Sequence, residues 1–275
     1  MGTHRRAYQV VLTVMAVVGS MFVLPGQGAA EPVDYTALGD SYASGVGTRA
    51  YYDDSGDCYR SPHAYPVRVA AEVGAALTFA ACSGSRVADV RNKQLGSVGG
   101  DTEYVTVQVG GNDIGFVSVL TACARPWPYT CWDEIDEANR KIRDVLPDRL
   151  DALYADIVTR APQAQVVAVG YPRLFNGEQC NAGARISPGE QRELNKSADR
   201  LARAIESSAR ARGIEYVDVR KEFTGHAVCD DVEWVNGLSY PILESYHPNR
   251  RGQRVGYTPV VTEQIAEPVP VSPAR

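Results

Sequence analysis

Five short runs of apolar and β-branched residues, at positions 35–38, 77–81, 104–109, 165–169 and 215–219, recur along the chain with helical patterns between them. No other feature constrains the fold so tightly. Strands alternating with helices are the mark of βαβ units, whose crossover helices cover a parallel sheet on both faces. The pattern predicts an α/β fold with one open five-stranded sheet. Ser61-Pro62 reads as an N-cap followed by proline at the first helical position, and predicts a helix to about residue 73. Ser187-Pro188-Gly189-Glu190 is a capping box opening a helix to about residue 212, with Leu194, Ala198, Leu201 and Ile205 on its core face. A further helix is expected over 132–160, kinked at Pro147, and a last one after Asn249.

The first thirty residues differ from the rest. Arg5 and Arg6 precede an apolar stretch over 10–24, followed by Pro25 and the small residues Gly28, Ala29 and Ala30. That is the pattern of a secretory signal peptide cleaved after Ala30, and the stretch is short of the roughly 20 residues a bilayer span needs. Residues 31–275 are then expected to form one exported domain, with no stable membrane insertion. Loss of the two leader arginines leaves 26 basic and 33 acidic side chains, a formal charge of −7 that argues against nucleic acid as a partner. Six cysteines, all beyond the leader, favour three disulfides in an exported chain, and their spacing alone leaves the pairing open. There is no CxxC or HxxxH pair, so no metal centre is expected.

In an open α/β sheet, ligands bind beyond the carboxyl ends of the strands. Four segments there carry polar signals. Gly39-Asp40-Ser41 follows the first run and can hold a serine hydroxyl at a strand-to-helix turn. Cys82-Ser83-Gly84-Ser85 follows the second, where a glycine can bring a backbone N–H close to a ligand. Gly110-Gly111-Asn112-Asp113 follows the third and offers a side-chain amide. Ser245-Tyr246-His247-Pro248-Asn249 precedes the last helix, where the imidazole can reach back toward the first strand. His63 and His226 have no such setting. A nucleophile, a base and donors for an oxyanion are the parts that ester hydrolysis requires.

On these blocks, GDS at 39–41, SG at 83–84, GGND at 110–113 and HPN at 247–249, the chain resembles the SGNH hydrolases, also called GDSL esterases and lipases. The likeness runs from Tyr35 to the final helix and is strongest to the secreted bacterial lipases, esterases and phospholipases. It implies a flavodoxin-like three-layer α/β/α sandwich of five parallel strands. It also implies disulfides joining Cys58 to Cys82, Cys123 to Cys131, and Cys180 to Cys229. Ser41 becomes the nucleophile and His247 the general base, with an oxyanion hole of the Ser41 and Gly84 backbone N–H groups and the Asn112 amide. Asp40 is read as a turn carboxylate. The family pattern has aspartate three residues before the histidine, where this chain has Glu244. The carboxylate of Glu244 and the backbone carbonyl of Ser245 are therefore both candidates for holding the imidazole, whose ordinary pKa of about 6.5 sets the expected acid limb of activity.

The expected function is secreted hydrolysis of carboxylic esters, above all fatty acyl esters, through an acyl-enzyme on Ser41. Phe116, Trp127, Tyr129, Trp132, Tyr171, Leu174, Phe175, Trp234 and Tyr240 flank the site in sequence and favour a lipid acyl group. A phospholipase, a polysaccharide deacetylase and a disulfide-stapled binding domain are the rival readings. The expected partner is a small-molecule or lipid ester met by a monomer, with no cofactor.

Overall fold

Every apolar run becomes a strand of one parallel sheet. The strands are β1 (Asp34–Gly39), β2 (Ala76–Phe79), β3 (Tyr104–Gln108), β4 (Gln165–Val169) and β5 (Glu215–Val217), in the order β2-β1-β3-β4-β5. A computed structural model describes residues 2, 32–126, 128–180 and 186–266; the expected leader over 1–30 falls almost entirely outside them, as do Trp127 and the proline-rich 268–275. The helices are α1 (Ser41–Ser44), α2 (Tyr65–Val73), α3 (Val87–Asp89), α4 (Phe116–Cys123), α5 (Trp132–Asp144), α6 (Leu146–Arg160), α7 (Pro188–Arg210) and α8 (Thr258–Ala266). α2 and α8 pack together on one side of the sheet, and α5 and α6 pack on α7 on the other, giving the three layers. Leu38, Val105, Val107, Val167 and Val169 are almost fully buried between them, as a sheet covered on both faces requires.

Chain order reverses between β1 and β3. From β1 the chain moves outward to β2, then crosses back to β3 on the opposite side. The crevice at such a switch point lies between the loops leaving the two strands, which here carry Ser41 and Asn112. The register pairs Gly39 with Gln108, so both loops leave the sheet at one level.

Three helix expectations are adjusted. α2 opens at Tyr65 and not at Ser61-Pro62, because the Ser61 hydroxyl closes a turn by accepting the His63 N–H at 2.9 Å, and Pro66 occupies the first helical turn instead. The 132–160 pattern forms two helices that meet at Val145, since Pro147 has no N–H to carry the hydrogen-bond ladder across. The helix after Asn249 begins through a π-helical turn over Gly252–Tyr257 before α8. The α7 capping box forms as expected: Ser187 Oγ accepts from the Glu190 N–H, and Glu190 accepts from the Ser187 N–H.

The cysteines form three disulfides, Cys58–Cys82, Cys123–Cys131 and Cys180–Cys229. The first joins the loop beyond α1 to the segment after β2, where Ser83 N–H also donates to the Cys58 carbonyl at 3.1 Å. The second links the end of α4 to the start of α5.

Candidate active site

Ser41 opens α1 directly after β1. Asp40 is the N-cap of this turn; its carboxylate accepts the Tyr42 N–H at 3.0 Å and the Tyr171 hydroxyl at 2.6 Å, while its own N–H donates to the Gln108 carbonyl. Burial pushes the Asp40 carboxyl up to about 7, against the two hydrogen bonds that favour its charged form. Its carboxylate is committed to the turn. Gly39, with a φ of +147°, lets the strand end this abruptly; a Cβ there would collide with the Gln108 carbonyl oxygen.

His247 comes from the other end of the chain. Its Nε2 lies 2.8 Å from Ser41 Oγ, and its Nδ1 lies 2.9 Å from the Ser245 carbonyl oxygen. A carbonyl only accepts, so Nδ1 carries the proton and the Nε2 lone pair faces the serine hydroxyl. The imidazole is further held by the Tyr42 ring, 5.1 Å away between centroids, whose hydroxyl donates to the Tyr246 carbonyl at 2.6 Å. Asn236 braces the same loop from outside. Its side-chain amide donates to the Gly47 and Glu244 carbonyls, and its backbone exchanges hydrogen bonds with Tyr246 and His247.

Of the two candidates for the third position, the Ser245 carbonyl is the one that meets the imidazole. The Glu244 side chain, almost fully buried, points elsewhere: Oε1 accepts the Tyr51 hydroxyl, and Oε2 has no hydrogen-bond partner among the described residues. The expectation that Glu244 orients the imidazole is amended accordingly. The cause is the backbone of the loop, in which Ser245 is extended and Tyr246 takes a left-handed φ of +59°, turning the Ser245 carbonyl rather than the residue 244 side chain toward the ring.

Burial also pulls the His247 imidazolium down, to about 4, because the site solvates the charged ring poorly; the Ser245 and Leu243 carbonyls oppose this less strongly. A base must be neutral to take a proton. With His247 as the base, activity is expected to be lost as pH falls through about 4, below the 6.5 of an ordinary imidazole. Glu244→Gln, which keeps an acceptor for Tyr51, is expected to lower turnover less than about 100-fold, against about 10⁴ for a triad aspartate changed to its amide. The pH profile of kcat/KM checks both points, with the acid limb expected near pH 4 in wild type and variant alike.

The donors face the same space. Gly84 has a left-handed φ of +77°, and among the described residues neither its N–H nor that of Ser41 donates to a protein acceptor. Asn112 Nδ2 donates to the Ser85 carbonyl at 3.0 Å, which orients the amide and leaves its second hydrogen to the crevice. Asp113 ties this loop down, accepting the Val87 N–H and pairing with Arg149 at 2.9 Å. Ser41, Gly84, Asn112 and His247 all line one cavity of about 600 Å³.

The rest of that cavity is mostly apolar. Phe116, Tyr171, Leu174 and Phe175 line it, whereas Tyr129, Trp132, Trp234 and Tyr240 do not. Trp234 is instead stacked on His226 at 3.8 Å, and Tyr240 is exposed. The α7 stripe has a second role that periodicity alone does not reveal: Leu194, Ala198 and Leu201 form part of the cavity wall. Sequence reading passed over Tyr42 and Asn236 as supports of the site, and read Tyr171 only as an aromatic residue flanking it; the position of Tyr42, next to the serine, offered a signal. Among the described residues there is no cluster of metal-ligating side chains, and no helix is long and apolar enough to cross a membrane.

Residues 37–255 match the model of the GDSL-like lipase/acylhydrolase family. The chain is 40% identical over 239 residues to Lipase 1 of Streptomyces coelicolor, covering 85% of this chain and 88% of that protein. Among solved structures it is similar to the extracellular lipase of Streptomyces rimosus, at 39% identity and a TM-score of 0.80, over 84% of this chain and 99% of the other. It is equally similar to phospholipase A1 of Streptomyces albidoflavus NA297, at 39% identity and a TM-score of 0.81, over 85% and 99%.

Proposed function

The chain belongs to the GDSL-like lipase/acylhydrolase family, and from that premise we propose that it is a secreted lipase or esterase acting on fatty acyl esters by way of Ser41. The observation that carries the reading is the placement of the Ser41–His247 pair, 2.8 Å apart, at the wall of an apolar cavity. His247 Nε2 takes the hydroxyl proton as Ser41 Oγ attacks the ester carbonyl. The Ser245 carbonyl stabilises the imidazolium that results. The Ser41 and Gly84 N–H groups and the Asn112 amide receive the negative charge on the former carbonyl oxygen. His247 then gives its proton to the leaving alcohol, and a water activated by the same base releases the acid from the acyl-enzyme. No cofactor is required by this sequence of steps.

The leader over 1–30 and the extracellular lipase among the relatives support secretion, with the residues after Ala30 as one catalytic domain. Phospholipid is the second substrate class, favoured by the similarity to a phospholipase A1. The walls of the cavity speak against a deacetylase, because an acetyl group would leave most of that apolar surface uncovered.

A series of soluble esters of one alcohol, from acetyl to palmitoyl, tests the reading beside a phosphatidylcholine and an acetylated glycan. Each methylene buried contributes about 0.8 kcal/mol, roughly a fourfold gain in kcat/KM, until the cavity is filled. A rise over the shorter acyl groups followed by a plateau is expected. Faster release of acetate from the glycan than of any longer acyl group would overturn the lipid assignment.

A further inference from the structure

Gln94 stands apart from all four sequence blocks, at the end of the π-helical turn Val90–Gln94. Its side chain is buried and bonded to two loops of the site. Oε1 accepts the Gly39 N–H at 2.8 Å, and Nε2 donates to the Gly39 carbonyl at 2.9 Å and to Ser85 Oγ at 3.0 Å. The reason lies in the sheet. β2 ends at Phe79, so it does not reach the N–H and carbonyl that Gly39 turns to that side, where Cys82 N–H supplies only a second donor to the carbonyl. The Gln94 amide supplies the donor and acceptor that a longer strand would have provided. With its remaining hydrogen it reaches into the glycine loop.

We propose that Gln94 is a positioning residue that sets the separation of the two backbone donors of the oxyanion hole, Ser41 N–H and Gly84 N–H. The inference rests on the reading of that hole given above. Ser41 lies two residues beyond Gly39, and Gly84 is bonded directly to Ser85, so one primary amide spans the two arms. It is absent from the cavity wall and acts only through them. An oxyanion is stabilised by donors 2.7–3.1 Å from its position in the transition state, whereas the ground-state carbonyl makes weaker demands on that spacing. Loosening the clamp therefore affects kcat and leaves KM nearly unchanged.

The test compares Gln94→Met, which keeps the length of the side chain and loses its hydrogen bonds, with Tyr35→Phe. The latter removes a buried hydrogen bond to Thr106 at the opposite end of β1, and serves as a control for stability loss away from the site. Measured are kcat and KM on a soluble ester, affinity for an alkyl boronic acid that forms a tetrahedral adduct, and Tm. Gln94→Met is expected to lower kcat and boronate affinity together by about 10- to 100-fold, with KM within about threefold, while Tyr35→Phe lowers Tm with kcat intact. Ser85→Ala breaks only the Gln94 link to the glycine loop and should lower kcat by about 3- to 10-fold; it carries the test if Gln94→Met does not fold. A kcat within twofold of wild type in the variant that carries the test would overturn the proposal, as would an equal fall in Tyr35→Phe. A slow Asn112→Ala beside a fully active Gln94→Met overturns the clamp alone; a fully active Asn112→Ala overturns the three-donor reading of the hole on which the clamp rests, by removing the Asn112 amide from it.

Discussion

Replacement of Ser41 by alanine is expected to lower ester turnover by about 10⁴-fold or more while leaving the fold intact. The hydroxyl stands at the cavity wall, with its proton directed at His247 Nε2. Without it, the imidazole can still polarise a water, and the donors of Ser41, Gly84 and Asn112 remain, so a small residual rate is expected. Folding should be little affected. Among the described residues the hydroxyl makes one hydrogen bond, at the start of a helical turn held by Asp40 and by the β1 register, and alanine satisfies the same backbone. The measurement is turnover at saturating ester with far-UV circular dichroism and Tm on the same preparation. Labelling of the wild type by a phosphonate ester, mapped to Ser41 by mass, supplies a second readout. Retention of more than a tenth of wild-type turnover by a folded variant would remove Ser41 from the reaction.

Asn112→Ala should show the next largest loss, about 10²- to 10³-fold in kcat, as for removal of one oxyanion donor elsewhere. A structural alternative predicts something different. Asn112 Nδ2 also donates to the Ser85 carbonyl, so alanine there relaxes the glycine loop as well as removing the donor. If positioning of the loop were the whole of its role, kcat would fall only about 3- to 10-fold, the loss expected for Ser85→Ala. If the second amide hydrogen meets the developing charge, kcat falls with KM nearly constant, because the donor is used fully only in the transition state. The latter is expected. A loss of less than tenfold in kcat would remove the amide from the list of oxyanion donors.

Much of this architecture was legible in the chain. The run over 166–169 could be read as a strand because burial on both faces leaves no polar alternation. The capping box at Ser187 announced α7 through a local exchange of hydrogen bonds that needs no tertiary partner. Where tertiary contacts decide, sequence reading lost resolution. Ser61-Pro62 has the chemistry of a helix start, but the Ser61 hydroxyl is engaged by the His63 N–H and by Thr48, and helix formation waits until Tyr65. The α7 stripe was read as core because periodicity reports only that a face is apolar, and a cavity wall is apolar too. Glu244 and Ser245 could not be separated in the same way. Which of them meets His247 depends on the backbone angles at Ser245 and Tyr246, and a left-handed tyrosine leaves no trace in composition or spacing. Gln94 was silent for a similar reason: its partners are main-chain groups and one serine, brought to it only by the ending of β2.

The hydrogen bond from His247 to the Ser245 carbonyl has an evolutionary consequence. A carboxylate in that position is one codon away from loss, whereas a main-chain carbonyl is present whatever side chain residue 245 bears. Ser245 is in the extended conformation, at φ −64° and ψ 138°, which every L-residue can adopt. Selection can therefore explore the side chain at 245, and even the charge at 244, without deleting the acceptor. It also carries no proton that acidification could add. Lineages that hold the histidine in this way should accumulate substitutions at these two positions faster than lineages that rely on an aspartate, and an alignment would record as variable a place where the chemistry is constant.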